Sequence, residues 1–184
     1  MGKILDIHDT AIADVKILTP KLFSDARGHL FESWNVRSFA KLGLDLSFVQ
    51  DNHSQSAKGV LRGLHYQVRQ SQGKLVRVVA GAAFDVAVDL RRASPSFGRW
   101  VGMELSAANR KQCWIPPGFA HGFLCLEEGT ELLYKCTDFY APEWERAVAW
   151  NDPALAIAWP LSGAPLLSLK DSSAPLLANA ELPA

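Results

Sequence analysis

No stretch of the 184 residues approaches the roughly 20 apolar positions that a membrane-spanning helix needs, and the opening MGKILDIHDTAI has no apolar signal-peptide core. A soluble, cytoplasmic protein with no membrane partner is expected. Charge of one sign is also missing: 19 Lys and Arg face 19 Asp and Glu. No global field therefore recruits nucleic acid, and any anionic ligand must be recognised locally. Cysteine is scarce. Cys113, Cys125 and Cys136 have no C-x-x-C spacing, which argues against a disulfide framework or a zinc site and for small, reduced, buried thiols. No repeat, linker or low-complexity stretch divides the chain. At 48% hydrophobic residues it can bury one full-sized core, so a single domain over residues 1–184 is expected.

What is present reads mostly as short strands. Residues 74–80 and 84–90 flank Gly81, and Phe84, Val86 and Val88 alternate with Asp85, Ala87 and Asp89. That period of two predicts a hairpin. Further strands are expected at 12–18, 30–34, 46–51, 60–67, 99–105, 112–115, 121–126, 131–137 and 146–150, with turns at 94–98, 116–118 and 127–129. Only NVRSFAKLG (35–43) has a helical pattern, closed by Gly43. From residue 160 onward the periodicity is weak, and loops and short helical turns packing over the β-core are expected. Many short strands without alternating helices indicate an all-β sandwich or barrel rather than a parallel α/β sheet.

The five histidines differ in setting. His8, near the terminus, and His29 and His53, in polar surroundings, read as solvated side chains. His65 in RGLHYQ and His121 in FAHGFL sit beside glycine in apolar runs, where an unpaired ring costs about 1–3 kcal/mol. Each is either a satisfied core histidine or part of a site. A metal-binding jelly roll offers a His-x-His pair followed closely by a carboxylate and a later histidine. Here the position two after His65 is Gln67, and no acidic residue falls between Gln67 and Asp85. The ligand set is two short, and neither a metal nor another cofactor is expected.

VLRGLHYQ (60–67) poses a geometric problem. Arg62 and His65 are three apart, so in an unbroken strand they point to opposite faces. They reach one cavity only if Gly63 marks a bulge or the arginine serves a neighbouring subunit. In ELLYKCTDFY (131–140), Tyr134 and Asp138 share parity, whereas Tyr140 falls near the strand end.

Five ordered blocks resemble the dTDP-4-dehydrorhamnose 3,5-epimerases: FSDARGHLFESW (23–34), FVQDNHSQSAKGVLRGLHYQ (48–67), QGKLVRVVAGAAFDVAVDLRRASPSFGRW (72–100), WIPPGFAHGFL (114–124) and YKCTDFYAPEWERAVAWNDP (134–153). The resemblance implies a double-stranded β-helix, the cupin-type jelly roll, with a few short helices, and a homodimer that exchanges N-terminal strands. It also implies that His65 is the general base and that Asp171 orients it. Lys74 matches the lysine near the substrate carbonyl, and Tyr134 the proton donor. Arg27, Glu32, Gln50, Asn52, Arg62, His121, Glu145 and Lys170 match contacts to the dTDP-sugar, the first two from the partner subunit. Tyr140 is expected to stack on the base. A single epimerisation, at C3 or C5 of a related sugar, is the nearest alternative reading, and a metal-binding or non-catalytic cupin the more distant one.

Those residue types suit the implied chemistry. In a 4-keto sugar the hydrogens on C3 and C5 are both α to the carbonyl, so removing either places charge on the C4 oxygen. A base on one face and an acid on the other then invert the centre. Imidazole titrates near working pH, a nearby ammonium stabilises the enolate oxygen, and arginine pairs bidentately with diphosphate.

Overall fold

The computed structural model describes residues 5–183; the first four residues of the N-terminal stretch lie outside them. Thirteen strands occupy this span, and most join two antiparallel sheets. The first sheet contains β1 (Leu5–Asp9), β2 (Lys16–Pro20), β5 (Gln50–Ser56), β7 (Lys74–Ala80), β10 (Gln112–Ile115) and β12 (Thr130–Cys136), in the spatial order β1-β2-β10-β7-β12-β5. The second contains β6 (Leu61–Gln67), β8 (Ala82–Asp89), β9 (Trp100–Ser106), β11 (Phe119–Cys125) and β13 (Glu145–Ala147), in the order β13-β6-β11-β8-β9. A separate hairpin pairs β3 (Phe23–Asp25) with β4 (Gly28–Leu30). The all-β, two-sheet architecture expected for a jelly roll is therefore present. Among the described residues no helix is long and apolar enough to cross a membrane.

Three apolar layers hold the sheets. Val76, Val78, Cys113, Ile115 and Leu132 of the first sheet meet Ala83, Ala87, Leu105, Phe119 and Phe123 of the second in the space between them. Each aliphatic side chain buried there is worth about 1.5–3 kcal/mol. The opposite face of the second sheet presents Leu64, Tyr66, Val86, Val88 and Ala120, and Trp159, Leu177 and Leu182 of the C-terminal segment cover it. That segment carries α2 (Leu169–Ser172) and a 3-10 turn at Leu177–Asn179, as its weak periodicity predicts. Leu18, Leu75 and Trp114 on the outer face of the first sheet are covered by Phe39 and Leu44.

Several expectations need correction. Residues 74–80 and 84–90 do not form a hairpin: β7 pairs with β10 and β12, and β8 with β9 and β11. Ala82 and Ala83 belong to the strand, leaving only Gly81 between β7 and β8. A two-residue hairpin loop does not fit in one residue, so the chain crosses from one sheet to the other. The strand expected at 12–18 begins only at Lys16, 30–34 is replaced by β4 at Gly28–Leu30, 46–51 becomes Gln50–Ser56, and 146–150 shrinks to Glu145–Ala147. The expected helix 35–43 is cut to α1 (Val36–Ala40). The Asn35 side chain accepts from the amides of Arg37 and Ser38, and Gly43 at φ +81° stops the following turn. In this single chain β1 lies beside its own β2.

Candidate active site

The geometric problem of Arg62 and His65 is resolved by a bulge. Opposite β6, His121 pairs with His65 and Phe123 with Arg62, so three steps on β6 face two on β11. Gly63 carries the distortion at φ +128°, and a Cβ there would stand 2.5 Å from the Cα of Gly122. Only glycine permits this approach. As a result both Arg62 and His65 line one inner cavity of about 160 Å³ together with Ser54, Lys74, His121, Phe123 and Tyr134. His65, Lys74 and Tyr134 also line an outer cavity of about 270 Å³, walled by Gln50, Asn52, Gln72, Tyr140 and Glu145. The three shared side chains make this a two-lobed cleft with one chemical waist.

Two imidazoles face the cleft, each tethered by a carboxylate. His65 Nε2 donates to Asp171 Oδ1 at 2.5 Å. Asp171 sits on α2, where Ser168 caps the backbone by accepting from the Asp171 amide at 3.1 Å. Burial alone pushes the Asp171 carboxyl up, but the hydrogen bond and charge of His65, with smaller help from Ser168 and Lys170, hold it below the usual carboxylate range. His121, directly opposite His65 on β11, donates Nε2–H to Asp85 Oδ2 at 2.7 Å. Asp85 is fully buried on β8, and its other oxygen, Oδ1, has no hydrogen-bond partner among the described residues. An unmatched buried acceptor costs about 1–3 kcal/mol or more when charged.

The facing sheet supplies the other two groups. Tyr134 on β12 packs edge-on to His121, with ring centroids 6.3 Å apart, and burial pushes its phenol above the ordinary tyrosine value. Lys74, at the start of β7, places Nζ 5.9 Å from the Tyr134 ring centroid and makes no ion pair among the described residues. Burial pulls its ammonium below the ordinary lysine value, while the charges of Cys136, Asp85 and Glu145 oppose that pull. An acid, a base and a cation thus converge from two sheets onto one volume, a setting suited to proton transfer next to developing negative charge.

The outer lobe is polar and self-paired. Lys170 Nζ lies 2.5 Å from Glu145 Oε2, which also accepts from Tyr140 Oη at 2.8 Å. Burial raises the Glu145 carboxyl, but these two hydrogen bonds and the charges of Lys170 and His65 bring it below its ordinary value. Gln50 Oε1 accepts from the Tyr140 amide and Asn52 reaches Cys136 Sγ at 3.6 Å; on the inner lobe, Arg62 Nε reaches Ser56 Oγ at 3.1 Å. The Tyr140 ring stands half exposed at the rim.

The cleft therefore gathers His65, Lys74, Tyr134, Arg62, His121, Gln50, Asn52, Tyr140 and Glu145, with Asp171 behind His65 and Lys170 at the rim. It does not gather Arg27 or Glu32. The Arg27 side chain is 90% exposed and pairs with Asp25, whereas Glu32 accepts from Asn35 and Ser38. Asp138 lies past the end of β12, with Oδ1 accepting from the Phe139 amide. Sequence reasoning missed Asp85, Ser54 and Gln72. The sole signal for Asp85 was an acidic residue alternating inside an apolar strand. Among the described residues no group of three or more His, Cys, Asp or Glu could hold a metal ion.

A model of the family described as dTDP-4-dehydrorhamnose 3,5-epimerase matches residues 9–179. The chain is 62% identical over 172 residues to the dTDP-4-dehydrorhamnose 3,5-epimerase of Pseudomonas aeruginosa, covering 93% of this chain and 95% of that one. Its fold is similar to that of a dTDP-6-deoxy-D-glucose-3,5-epimerase from Legionella pneumophila, solved in complex with dTDP-4-keto-L-rhamnose. That similarity has a TM-score of 0.95 at 51% identity and covers 97% of each chain. It is also similar, at TM-score 0.90 and 38% identity over 96% of this chain and 92% of the other, to a 3'-monoepimerase from Streptomyces bikiniensis in complex with dTDP-quinovose.

Proposed function

Because this chain belongs to the dTDP-4-dehydrorhamnose 3,5-epimerase family, we propose that its two-lobed cleft performs that epimerisation with His65 as base and Tyr134 as acid. The activity is an isomerisation: dTDP-4-dehydro-6-deoxy-D-glucose is inverted at C3 and C5 to give dTDP-4-dehydro-β-L-rhamnose. One observation carries the assignment of roles. His65 and Tyr134 come from facing sheets and line both lobes, and inversion at carbon needs a base on one face and an acid on the other.

With Nε2–H committed to Asp171, His65 presents the Nδ1 lone pair to the sugar. It takes the proton from C3 or C5, and Asp171 stabilises the imidazolium that results. The electron pair moves onto the C4 oxygen, where Lys74 provides positive charge. Tyr134, kept protonated by burial, returns a proton from the opposite face and is reset from solvent. Protons move and no net electrons do, so the reaction requires no nicotinamide, and Lys74 supplies at the C4 oxygen the positive charge that a Lewis acid would otherwise provide.

The inner lobe takes the hexose and the outer lobe the nucleoside. Arg62 pairs with the diphosphate, Tyr140 stacks on thymine, and Gln50, Asn52, Glu145 and Lys170 line the path between them. Arg27 and Glu32 act in the cleft of the other subunit of a homodimer. The exposure of Arg27 and of Leu30 on the β3–β4 hairpin, the latter at 73%, supports that arrangement. Cytoplasmic action on a nucleotide sugar goes with this reading.

Proton NMR of the reaction in deuterated water tests it. Wild type is expected to place deuterium at both C3 and C5. His65→Ala is expected to lose at least about 100-fold in exchange at both carbons, and Tyr134→Phe to lose inversion more than exchange. Unimpaired exchange in His65→Ala removes His65 as the base, and deuterium at only one carbon in wild type points to a mono-epimerase.

A further inference from the structure

The proton transfers employ one imidazole-carboxylate pair; in the other, resemblance gives His121 a sugar contact but gives Asp85 no task. Asp85 and His121 are 0% and 5% exposed, yet His121 lines the inner lobe directly across the strand pair from His65. A pair serving only the core has no need to face a cavity, and a well-packed apolar substitute is often at least as stable as a buried ion pair. A second histidine at the reacting volume, held by its own carboxylate, calls for a chemical explanation.

We propose that Asp85 is a positioning residue for the epimerisation, acting through His121: it engages Nε2–H and so turns the Nδ1 lone pair into the inner lobe, as an acceptor for a hydroxyl of the bound hexose. This rests on the reading that the inner lobe holds the hexose. A carboxylate only accepts, so in the neutral ring the hydrogen bond at Nε2 fixes the tautomer and leaves Nδ1 unprotonated. No protein group engages Nδ1 among the described residues, so it is available to ligand. The sugar decides what can use it. In a 4-keto-6-deoxyhexose, C3 carries a hydroxyl, whereas C5 carries a methyl group and the ring oxygen. A hydroxyl acceptor across from His65 therefore steadies the C3 side of the ring and has nothing equivalent to hold at C5. Asp85 thereby biases which of the two centres the single base reaches.

The test is deuterium entry at C3 and at C5, measured separately by NMR for wild type, Asp85→Asn, His121→Gln and the double variant. Asp85→Asn is expected to slow exchange at C3 by about 10- to 100-fold, the range found when a metal-ligating histidine loses its orienting carboxylate, and exchange at C5 much less. The double variant is expected to be no slower at C3 than His121→Gln alone, because Asp85 acts only through that ring. An equal fall at both carbons, or additive losses in the double variant, overturns the proposal and leaves Asp85 as a support of the fold. Nitrogen-15 spectra of the histidine side chains in unaltered protein test it without relying on a variant that folds. A proton on Nε2 and none on Nδ1 of neutral His121 is expected, and the reverse tautomer overturns it. Should wild type exchange at neither carbon, the assignment of the cleft fails, and that failure is visible before any variant is compared.

Discussion

His65–Asp171 and His121–Asp85 are built alike and placed differently. In both, Nε2–H meets a carboxylate within 2.7 Å, and the two histidines are paired neighbours on β6 and β11. The first carboxylate arrives from α2, 106 residues along the chain, and its histidine is 29% exposed. The second comes from the adjacent strand β8, with both partners sealed between the sheets. A base must be reached by substrate and must release its proton to solvent, so the open pair suits proton transfer. A sealed ring holds its tautomer and orientation, so the inner pair suits fixed hydrogen bonding. On the proposed roles, identical chemistry is divided by burial and by the element that brings the carboxylate, a C-terminal helical turn in one pair and an adjacent strand in the other.

Asp171→Asn is the largest way to break that comparison. An amide can accept from Nε2–H but cannot balance an imidazolium, so proton capture becomes harder while the ring stays near its place. A fall of about 100-fold in kcat is expected with KM changed less than about threefold. On the proposed assignment, in which the open pair alone abstracts protons, the fall is expected at C3 and C5 together, measured by deuterium entry. A loss confined to one carbon would make the two pairs share the base role and dissolve the distinction.

Lys74 sharpens the comparison through pH, since Asp85 from the sealed pair and Glu145 from the rim both oppose the loss of its charge. Burial nonetheless sets its ammonium below the ordinary lysine value, whereas burial sets the Tyr134 phenol above the ordinary tyrosine value. As pH rises, Lys74 of the free enzyme therefore loses its proton before Tyr134 does, and wild-type kcat/KM is expected to fall on the alkaline side before a free lysine would titrate. Arginine keeps its charge there. Lys74→Arg is expected to cost about tenfold near neutrality, because a planar fork replaces a point charge, and to abolish the alkaline fall. An alkaline limb that survives in Lys74→Arg belongs to another group.

How much of this was legible depended on whether function and folding left the same mark. The apolar strands β7 to β12 were visible because their side chains alternate or run continuously into a core. β5 was not: QDNHSQS contains no apolar residue, yet Gln50, Asn52 and Ser54 all turn toward the cleft and Ser56 toward Arg62. Its period of two is real, but polar residues occupy both faces because one lines a site. β1, β3 and β4 are short and near the edges, where little burial constrains the pattern. For the site, parity at Gly63 left a bulge or a neighbouring subunit's arginine as the two readings, between which the β6–β11 register decides, and the roles proposed for His65, Lys74, Tyr134 and Asp171 rest on resemblance. Asp85 stayed hidden because pairing it with His121 requires knowing that β8 and β11 are neighbours. The mistaken 74–80 and 84–90 hairpin points the same way: a glycine between apolar runs marks a corner without saying which sheet the chain enters.

The smallest expected effect lies in stability, and it separates the pairs by titration. Asp171 has its folded carboxyl depressed: burial raises it, and the His65 hydrogen bond and charge outweigh that rise. A depressed carboxylate contributes stability that is present above its unfolded value and is lost as pH falls through the folded value. At neutral pH, Asp171→Asn is therefore expected to melt about 2–4 °C below wild type, the shift produced by about 1 kcal/mol in a chain of this size. As pH is lowered below about 4, the ordinary aspartate value, toward the depressed folded value that gap is expected to narrow, since the wild-type carboxyl takes up a proton and comes to resemble the amide. Thermal melts of both proteins across that range measure it. A gap of constant width would mean that the tether from α2 holds through packing rather than charge. The open pair would then be as pH-insensitive in its stability as a purely apolar contact, and its difference from the sealed pair would rest on catalysis alone.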